Sequence, residues 1–374
     1  MTISPTLRAL ILSMAALSST AMAQEPAAVQ APAQEVRHLP LEQLRSFYKL
    51  MPRQSNRQGV RTVSNAGTVL ELGPGMRELS IGGYRWQLSH PLKDDGAGDL
   101  LISEIDMVKL IDPVLRPSYI AERRLVRTVI IDPGHGGYDT GATGNYVHEA
   151  DFTMQLAHEL QQQLTKRGYA VVLTHEQNRH MSDQQRIECA TGADAAIFIS
   201  LHLNCGRSDI QGIETYTAAP HSPGAQQLPA HKHDGANAAL AFAVHSSLVA
   251  TTGAQDGACR RAQYSLLNSI DCPAIMVLAG YATHKEEGSK LATPEYRTKL
   301  AEAITEGVCT FARAVNPDAK LEPQPEATPE PPKPEPVAAP TPQPAKPKPK
   351  TKSTGKKPTK SSKGNSRSSS KRKR

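Results

Sequence analysis

The chain has 374 residues, of which 4% are aromatic and 29 are proline, so part of it is not expected to pack into a core. Its net charge of +7 is uneven, because residues 336–374 contain thirteen Lys or Arg and no Asp or Glu; removing those thirteen charges from +7 leaves −6 for the rest. The composition excludes a uniformly basic protein and indicates a mildly acidic body with a cationic tail.

The first 23 residues are predicted to form a secretory signal peptide. Arg8 precedes an apolar run over residues 9–17, and residues 21–23 supply an A-x-A cleavage site. The run is shorter than the roughly 20 apolar residues that span a bilayer, and no later segment is long enough either. We therefore expect an exported protein of the periplasm, the extracellular space or the cell wall. A short membrane anchor or a plain N-terminal helix is the alternative.

A flexible lead, rich in Ala, Pro and Gln, is predicted over residues 24–38, and a small β-rich accessory module over residues 39–120. Short, partly alternating segments separated by glycine turns are typical of hairpin strands. They cover residues 68–72, 77–81, 84–88 and 100–103, and a short helix is predicted at 105–110. Trp86 is expected to anchor the module's core, because a lone Trp usually fills a core or an interface.

Strand and helix patterns alternate over residues 126–314, which predicts an α/β fold with a mainly parallel, twisted sheet and helices on both faces. The predicted strands cover 129–131, 170–174, 195–200, 212–217 and 274–278. The predicted helices cover 149–166, 183–190, 237–250 and 294–313, and the second of them is expected to be capped by Ser182.

The C-terminal residues 318–374 are predicted to be disordered, Pro-rich at first and then basic. Such a composition cannot bury enough apolar surface to offset the entropy of ordering. The basic part is expected to adhere to anionic wall polymers or lipid head groups in a salt-sensitive way. No specific nucleic-acid partner is expected, because the export signal argues against it.

Two histidines and one glutamate predict a metal site in the α/β region. His135 follows the first predicted strand, His202 follows the strand at 195–200, and Glu149 lies fourteen residues after His135. Ligands in open α/β sheets bind beyond the carboxyl ends of the strands. Imidazoles and a carboxylate suit Zn²⁺, and three protein ligands leave a fourth position for water. The pattern thus indicates a zinc-dependent hydrolase.

The remaining histidines and the five cysteines favour no second site. His148 is interpreted as solvated, and the insertion at residues 218–235, with its three histidines (His221, His231 and His233), as a plain surface loop. The cysteines form no C-x-x-C pair, so a thiolate zinc cluster is not expected. A bridge between Cys259 and Cys272 and buried free thiols stay open as alternatives.

Residues 129–137, which read VIIDPGHGG, resemble the opening motif of the zinc-dependent N-acetylmuramoyl-L-alanine amidases of the amidase-3 family. Glu149 and the segments 200–204 and 212–215 resemble later motifs of the same family in the same order. The resemblance implies cleavage of the amide between the lactyl group of muramic acid and the first L-alanine of the peptidoglycan stem. It also implies that His135, Glu149 and His202 are the zinc ligands.

The sequence departs from the family pattern at Leu278, which occupies the position of a second glutamate that the resemblance implies as general base and acid. Leucine cannot transfer protons, and positioned acid–base groups contribute about 10² to 10⁴ in rate. Three hypotheses follow. In the first, the metal alone or another acid sustains amidase activity; Glu214 is the best-placed acid, and its alternative role is a structural carboxylate or a partner of a metal ligand. In the second, the domain binds zinc and peptidoglycan without cutting. In the third, the least favoured, zinc is absent and the domain is a scaffold for a partner.

Overall fold

The computed structural model describes residues 36–121, 123–193, 196–219 and 232–318, which all belong to one compact unit. The predicted signal peptide, most of the flexible lead, and nearly all of the tail therefore lie outside the described residues. So do His221 and His231. No helix within the described ranges is long and apolar enough to cross a membrane.

The N-terminal part is a meander of short antiparallel strands, as the glycine turns predict. Its turn between residues 81 and 84 uses Gly82 and Gly83, both with positive φ (60° and 91°), which suits a tight hairpin. The helix Leu41–Tyr48 and the strands His38–Pro40, Met51–Arg53, Arg61–Ser64 and Lys93–Asp94 were not predicted. The strands are β1 (His38–Pro40), β2 (Met51–Arg53), β3 (Arg61–Ser64), β4 (Val69–Leu72), β5 (Glu78–Ile81), β6 (Tyr84–Gln87), β7 (Lys93–Asp94) and β8 (Leu100–Ser103).

Helical segments flank these strands. They are α1 (Leu41–Tyr48), α2 (Glu104–Asp106), a π-helix (Met107–Ile111), α3 (Asp112–Leu115) and a 3₁₀-helix (Pro117–Tyr119). The short helix predicted at 105–110 is therefore the middle of a longer helical stretch.

The α/β part follows the predicted alternation, and the helix Glu149–Lys166 has the predicted bounds. Ser182 caps the helix Asp183–Gly192 as expected, through a reciprocal capping box with Gln185. The strands are β9 (Thr128–Pro133), β10 (Ala170–Leu173), β11 (Ile197–Asn204), β12 (Ile213–Ala218), β13 (Asp256–Ala262) and β14 (Ala274–Tyr281). The helices are α4 (Glu149–Lys166), α5 (Asp183–Gly192), α6 (Asp234–Thr252), α7 (Ser265–Ser269), α8 (Lys285–Leu291) and α9 (Pro294–Val315).

One large mixed sheet runs through both parts, in the order β10-β9-β11-β14-β12-β13-β6-β5-β4-β3-β2. From β10 to β13 every neighbouring pair is parallel except β14 and β12, which are antiparallel. Beyond β6 every pair is antiparallel. The prediction of a mainly parallel sheet thus describes the α/β half and not the whole sheet.

Helices cover both faces of the α/β half, because its strand residues alternate between two hydrophobic clusters. Val129 and Ile131 pack with α4, α6 and α9, whereas Ile130 packs in a second cluster with Ala190 of α5 and Leu267 of α7. Successive side chains of a strand point to opposite faces. The sheet is therefore the middle layer of three.

The two parts of the sheet meet where β6 pairs with β13, a strand that the sequence analysis did not identify. Trp86 lies opposite Cys259 at this joint and is fully buried, so its predicted role as a core anchor is confirmed. Cys259 and Cys272 are both buried as free thiols, and the bridge between them is not formed. The division into a 39–120 module and a 126–314 domain stays a prediction about the chain, since both segments contribute to one sheet.

Candidate metal centre

The parallel pairing of β9 with β11 brings the two predicted histidines to one edge of the sheet. Leu201 lies opposite Pro133 in the register. His202 is the residue after Leu201, and His135 is the second residue after Pro133, so the two histidines lie close to each other along the chain direction. His202 is part of β11, which extends to Asn204, and does not follow the strand as predicted. Both histidines nevertheless lie at the carboxyl edge, where the sheet topology places binding sites.

The backbone around His135 is tightly constrained. His135 itself has a positive φ of 63°, which L-residues rarely adopt. Arg186 of α5 holds this turn by donating hydrogen bonds to the carbonyl oxygens of Pro133 (2.7 Å) and His135 (3.0 Å). The same guanidinium pairs with the buried carboxylate of Asp132, so its charge is compensated within the fold. No sequence pattern predicts the roles of Arg186 and Asp132, because their contact joins residues 54 positions apart.

Glu149, the first residue of α4, connects the two histidines. Its Oε2 lies 3.1 Å from Nε2 of His135, and its Oε1 lies 2.9 Å from Nδ1 of His202. The carboxylate is almost completely buried, and it also accepts hydrogen bonds from the backbone N–H groups of Ala142 (2.6 Å) and Leu203 (2.8 Å). Each oxygen therefore faces one imidazole and one backbone donor.

Asp139 fixes the orientation of the His135 ring. Nδ1 of His135 lies 2.9 Å from Oδ2 of Asp139, so this nitrogen donates its proton and Nε2 is left facing Glu149. A carboxylate behind an imidazole in this way is typical of metal-binding histidines, because it sets the tautomer and raises ligand basicity. Asp139 was missed in the sequence analysis, although its position four residues after His135 in a glycine-rich turn was a usable signal.

The three predicted residues form a group that could hold a metal ion, since one donor atom from each lies within 4.8 Å of the others. Two imidazoles and one carboxylate in such a group are a donor set that zinc commonly uses. Two glycines keep this space open. A Cβ on Gly134 would lie 2.3 Å from the His202 ring, and one on Gly141 would lie 2.6 Å from Oε2 of Glu149.

The ionisation of the group follows from these contacts. The hydrogen bond to Glu149 raises the pKa of His135 to about 9, against the opposing effect of burial. Burial by itself would raise the pKa of Glu149, but the hydrogen bonds from His135 and His202 outweigh it and hold that pKa well below its ordinary value. Without a metal, the group is therefore an ionised carboxylate beside a His135 that is protonated at neutral pH.

Leu278 and Glu214 lie in one row with His202 across three neighbouring strands. Leu278 is opposite His202 in the β11–β14 register and opposite Glu214 in the β14–β12 register. Directly opposite residues point to the same face, and neighbouring strands are about 4.8 Å apart. The backbone of Glu214 is therefore roughly 10 Å from that of His202, and the buried, apolar Leu278 lies between them.

Glu214 is held in a polar network of its own. Its Oε1 pairs with Nε of Arg260 at 3.1 Å, and its Oε2 accepts hydrogen bonds from Asn204 (2.9 Å) and from Tyr216 (3.0 Å). Burial, together with the nearby Glu214, raises the pKa of Tyr216, so its hydroxyl stays protonated and donates. Asn204 is the only one of these partners on the strand of His202.

The other predicted histidines lie apart from this group. His148 is exposed, as expected for a solvated side chain, and precedes α4 without capping it through its side chain. His233 is buried at the start of α6, so the reading of this residue as part of a surface loop was wrong. Among the described residues, one group of three or more His, Cys, Asp or Glu side chains could hold a metal ion, and it consists of His135, Glu149 and His202.

Comparisons with known proteins match the α/β region of the chain, which contains this group. Residues 129–310 match the family model for N-acetylmuramoyl-L-alanine amidase. An uncharacterised Bacillus subtilis protein, YqiI, is 27% identical over 186 residues, which are 50% of this chain and 84% of YqiI. N-acetylmuramoyl-L-alanine amidase LytC of Bacillus subtilis is 29% identical over 187 residues, which are 50% of this chain but 36% of LytC.

Among solved structures, an N-acetylmuramoyl-L-alanine amidase from Clostridium difficile 630 is 28% identical with a TM-score of 0.45, and the match covers 50% of this chain and 97% of the other. The family model and LytC, both matched to the α/β region, carry the same name, N-acetylmuramoyl-L-alanine amidase. The matched segment covers only about a third of LytC's length.

The raised pKa of His135 predicts a specific pH dependence for protein stripped of divalent metal. A raised pKa in the folded state stabilises the fold fully below the unfolded value, near 6.5, and that contribution is lost as the pH rises through about 9. The free energy of unfolding, measured in urea, should therefore fall between pH 6.5 and 9 relative to a His135→Gln variant. A constant difference between the two proteins over that range would contradict the ion pair.

Proposed function

We propose that residues 126–314 form a zinc-dependent N-acetylmuramoyl-L-alanine amidase domain that cleaves the amide between N-acetylmuramoyl and the first L-alanine of the stem peptide. The zinc ligands in this proposal are His135, Glu149 and His202. One observation carries it: the three side chains, from separate parts of the chain, bring donor atoms within 4.8 Å of each other inside the segment that matches the amidase family.

The donor set fits zinc. Two imidazoles and one carboxylate are common ligands of catalytic zinc, and three protein ligands leave a coordination position open. Bound there, the ion supplies a Lewis acid that polarises the amide carbonyl and activates water at neutral pH. The protein's own contribution is to hold the donors: Asp139 orients His135, Arg186 fixes the turn that carries it, and two backbone N–H groups orient Glu149.

The residue that would transfer protons in this reaction is proposed to be Glu214. It is a buried carboxylate on the same face and in the same row as His202. Asn204, two residues after His202, donates to it and connects the two parts of the site. Its partners also hold it in place, because the carboxylate accepts hydrogen bonds from Asn204 and Tyr216 and pairs with Arg260.

A zinc-containing, peptidoglycan-binding pseudoenzyme is the second candidate. The buried Leu278 favours it, because leucine stands between His202 and Glu214 where the family resemblance implies an acid–base glutamate. In this case His135, Glu149 and His202 would hold the metal, and the site would bind peptidoglycan without turnover.

The metal assignment is tested by loading the purified protein with Zn²⁺ and measuring bound metal and the release of stem peptide from muropeptides. We expect one zinc per chain. His202→Ala should remove most of the bound metal and any cleavage, while His148→Ala, which changes an exposed histidine beside α4, should change neither. Retention of one zinc by the His202→Ala variant would exclude the proposed ligand set.

Substitutions in the Leu278 row separate the enzyme from the pseudoenzyme. If Glu214 transfers protons, Glu214→Gln should lower the rate by about 10² to 10⁴ while zinc stays bound. Tyr216→Phe removes one hydrogen bond to the same carboxylate and is the matched control, with a much smaller effect expected. If wild type shows no cleavage and Leu278→Glu does, the pseudoenzyme is the correct account. Full activity of Glu214→Gln would exclude Glu214 as the proton carrier.

Export and surface adhesion through the basic tail complete the proposal; both concern residues outside the described ranges. Deleting residues 336–374 removes thirteen positive charges. Retention on vesicles containing anionic lipid, or on anionic wall polymers, should therefore decrease at low salt and converge with that of the full chain at about 1 M salt, where screening is strong. Equal retention of both proteins at low salt would rule out adhesion by the tail.

A further inference from the structure

Arg260 lies on the face of the sheet that carries the metal centre. It is opposite Tyr216 in the β12–β13 register, Tyr216 is opposite Met276, and Met276 is opposite Ser200. Ser200 precedes His202 by two residues on β11, so side chains of this row point to the same face as His202. The guanidinium reaches back to Glu214, whose backbone is roughly 10 Å from that of His202.

The guanidinium of Arg260 is fixed through one nitrogen and open at the other two. Its Nε donates a hydrogen bond to the carbonyl oxygen of Gly257 (3.0 Å) and lies 3.1 Å from Oε1 of Glu214, with which the guanidinium forms an ion pair. Neither Nη1 nor Nη2 donates a hydrogen bond to any of the described residues, and the side chain is 30% exposed. Arginine presents its donors in a planar fork that matches a carboxylate, and an anchored fork loses little entropy on binding.

The surface between Arg260 and the metal centre suits a peptide. Leu278 provides an apolar position beside His202, and the hydroxyl groups of Tyr216 and Tyr281 face Glu214. An extended peptide advances about 3.3–3.6 Å per residue, so roughly 10 Å corresponds to two or three residues. A carboxylate two or three residues from the scissile amide would therefore lie near Nη1 and Nη2 of Arg260.

We infer that Arg260 binds a carboxylate of the stem peptide, on the alanine side of the scissile amide. The muramoyl group then extends away from β12 and β13, toward β9 and β10. This inference rests on the proposed function, since the amide at the metal centre defines the two sides. Arg260 acts here in substrate recognition, and Glu214 holds its guanidinium in place.

The test compares two non-cleavable ligands that differ only in charge. Both are N-acetylmuramoyl-alanyl dipeptides with a reduced lactyl–alanine amide; one ends in glutamic acid and the other in the diamide of glutamic acid. Calorimetry on the zinc-loaded full chain should give at least about tenfold tighter binding of the acid, equivalent to about 1.4 kcal/mol, because only the acid can accept charge-assisted hydrogen bonds from the guanidinium. Arg260→Met should abolish this preference and leave the affinity for the diamide unchanged.

Arg167→Met is the matched control, because Arg167 also pairs with a glutamate, Glu306, but lies between α4 and α9, away from the site. It should keep the preference for the acid. Equal binding of both ligands by the wild type would overturn the inference, and so would an Arg260→Met variant that weakens both ligands equally, which indicates a purely structural arginine. Because binding is measured without turnover, this outcome is independent of the zinc and cleavage assays that test the proposed function.

Discussion

The geometry of the candidate site depends on one buried carboxylate. Glu149 is 2% exposed at the start of α4, and an isolated charge in such a position is costly unless hydrogen bonds and opposite charges compensate it. The compensation comes from His135, His202 and two backbone N–H groups, which belong to three separate segments of the chain. The contacts that compensate the charge of Glu149 therefore also bring the two imidazoles together. A divalent cation bound there would take the place of the protons that now lie between Glu149 and the imidazoles.

The surrounding fold is organised to hold this group in place. The parallel pairing of β9 and β11 aligns the strand ends, and Arg186 fixes the turn between β9 and His135 through two carbonyl oxygens. Arg186 depends in turn on Asp132, which is fully buried and also accepts hydrogen bonds from Thr174 (2.8 Å) and Ser200 (2.8 Å). The polar network thus extends from the candidate metal centre into the sheet. It includes buried residues that the sequence motif does not identify as part of the site.

Sequence patterns predicted the parts of this protein that are locally determined. Helix α4 was found from its four-residue apolar period and the cap of α5 from Ser182, and the carboxyl-edge rule placed His135 and His202 together. Strand β13 was missed because its sequence, Asp256–Ala262, contains two arginines and no alternating apolar pattern. Its burial depends on partners distant in sequence, Trp86 above all. The same reason applies to the antiparallel orientation of β12 and to the contacts of Asp139, Arg186 and Arg260. They depend on the tertiary structure and cannot be predicted from the local sequence of one segment.

The central claim is that His135, Glu149 and His202 hold one zinc ion. X-ray absorption spectroscopy at the zinc edge of the loaded protein tests it directly. The account predicts scattering from two imidazoles and light N/O ligands at about 2.0–2.1 Å, with one imidazole contribution lost or no zinc bound in a His202→Ala variant. A sulfur shell near 2.3 Å, or zinc with no imidazole in its coordination sphere, would contradict it.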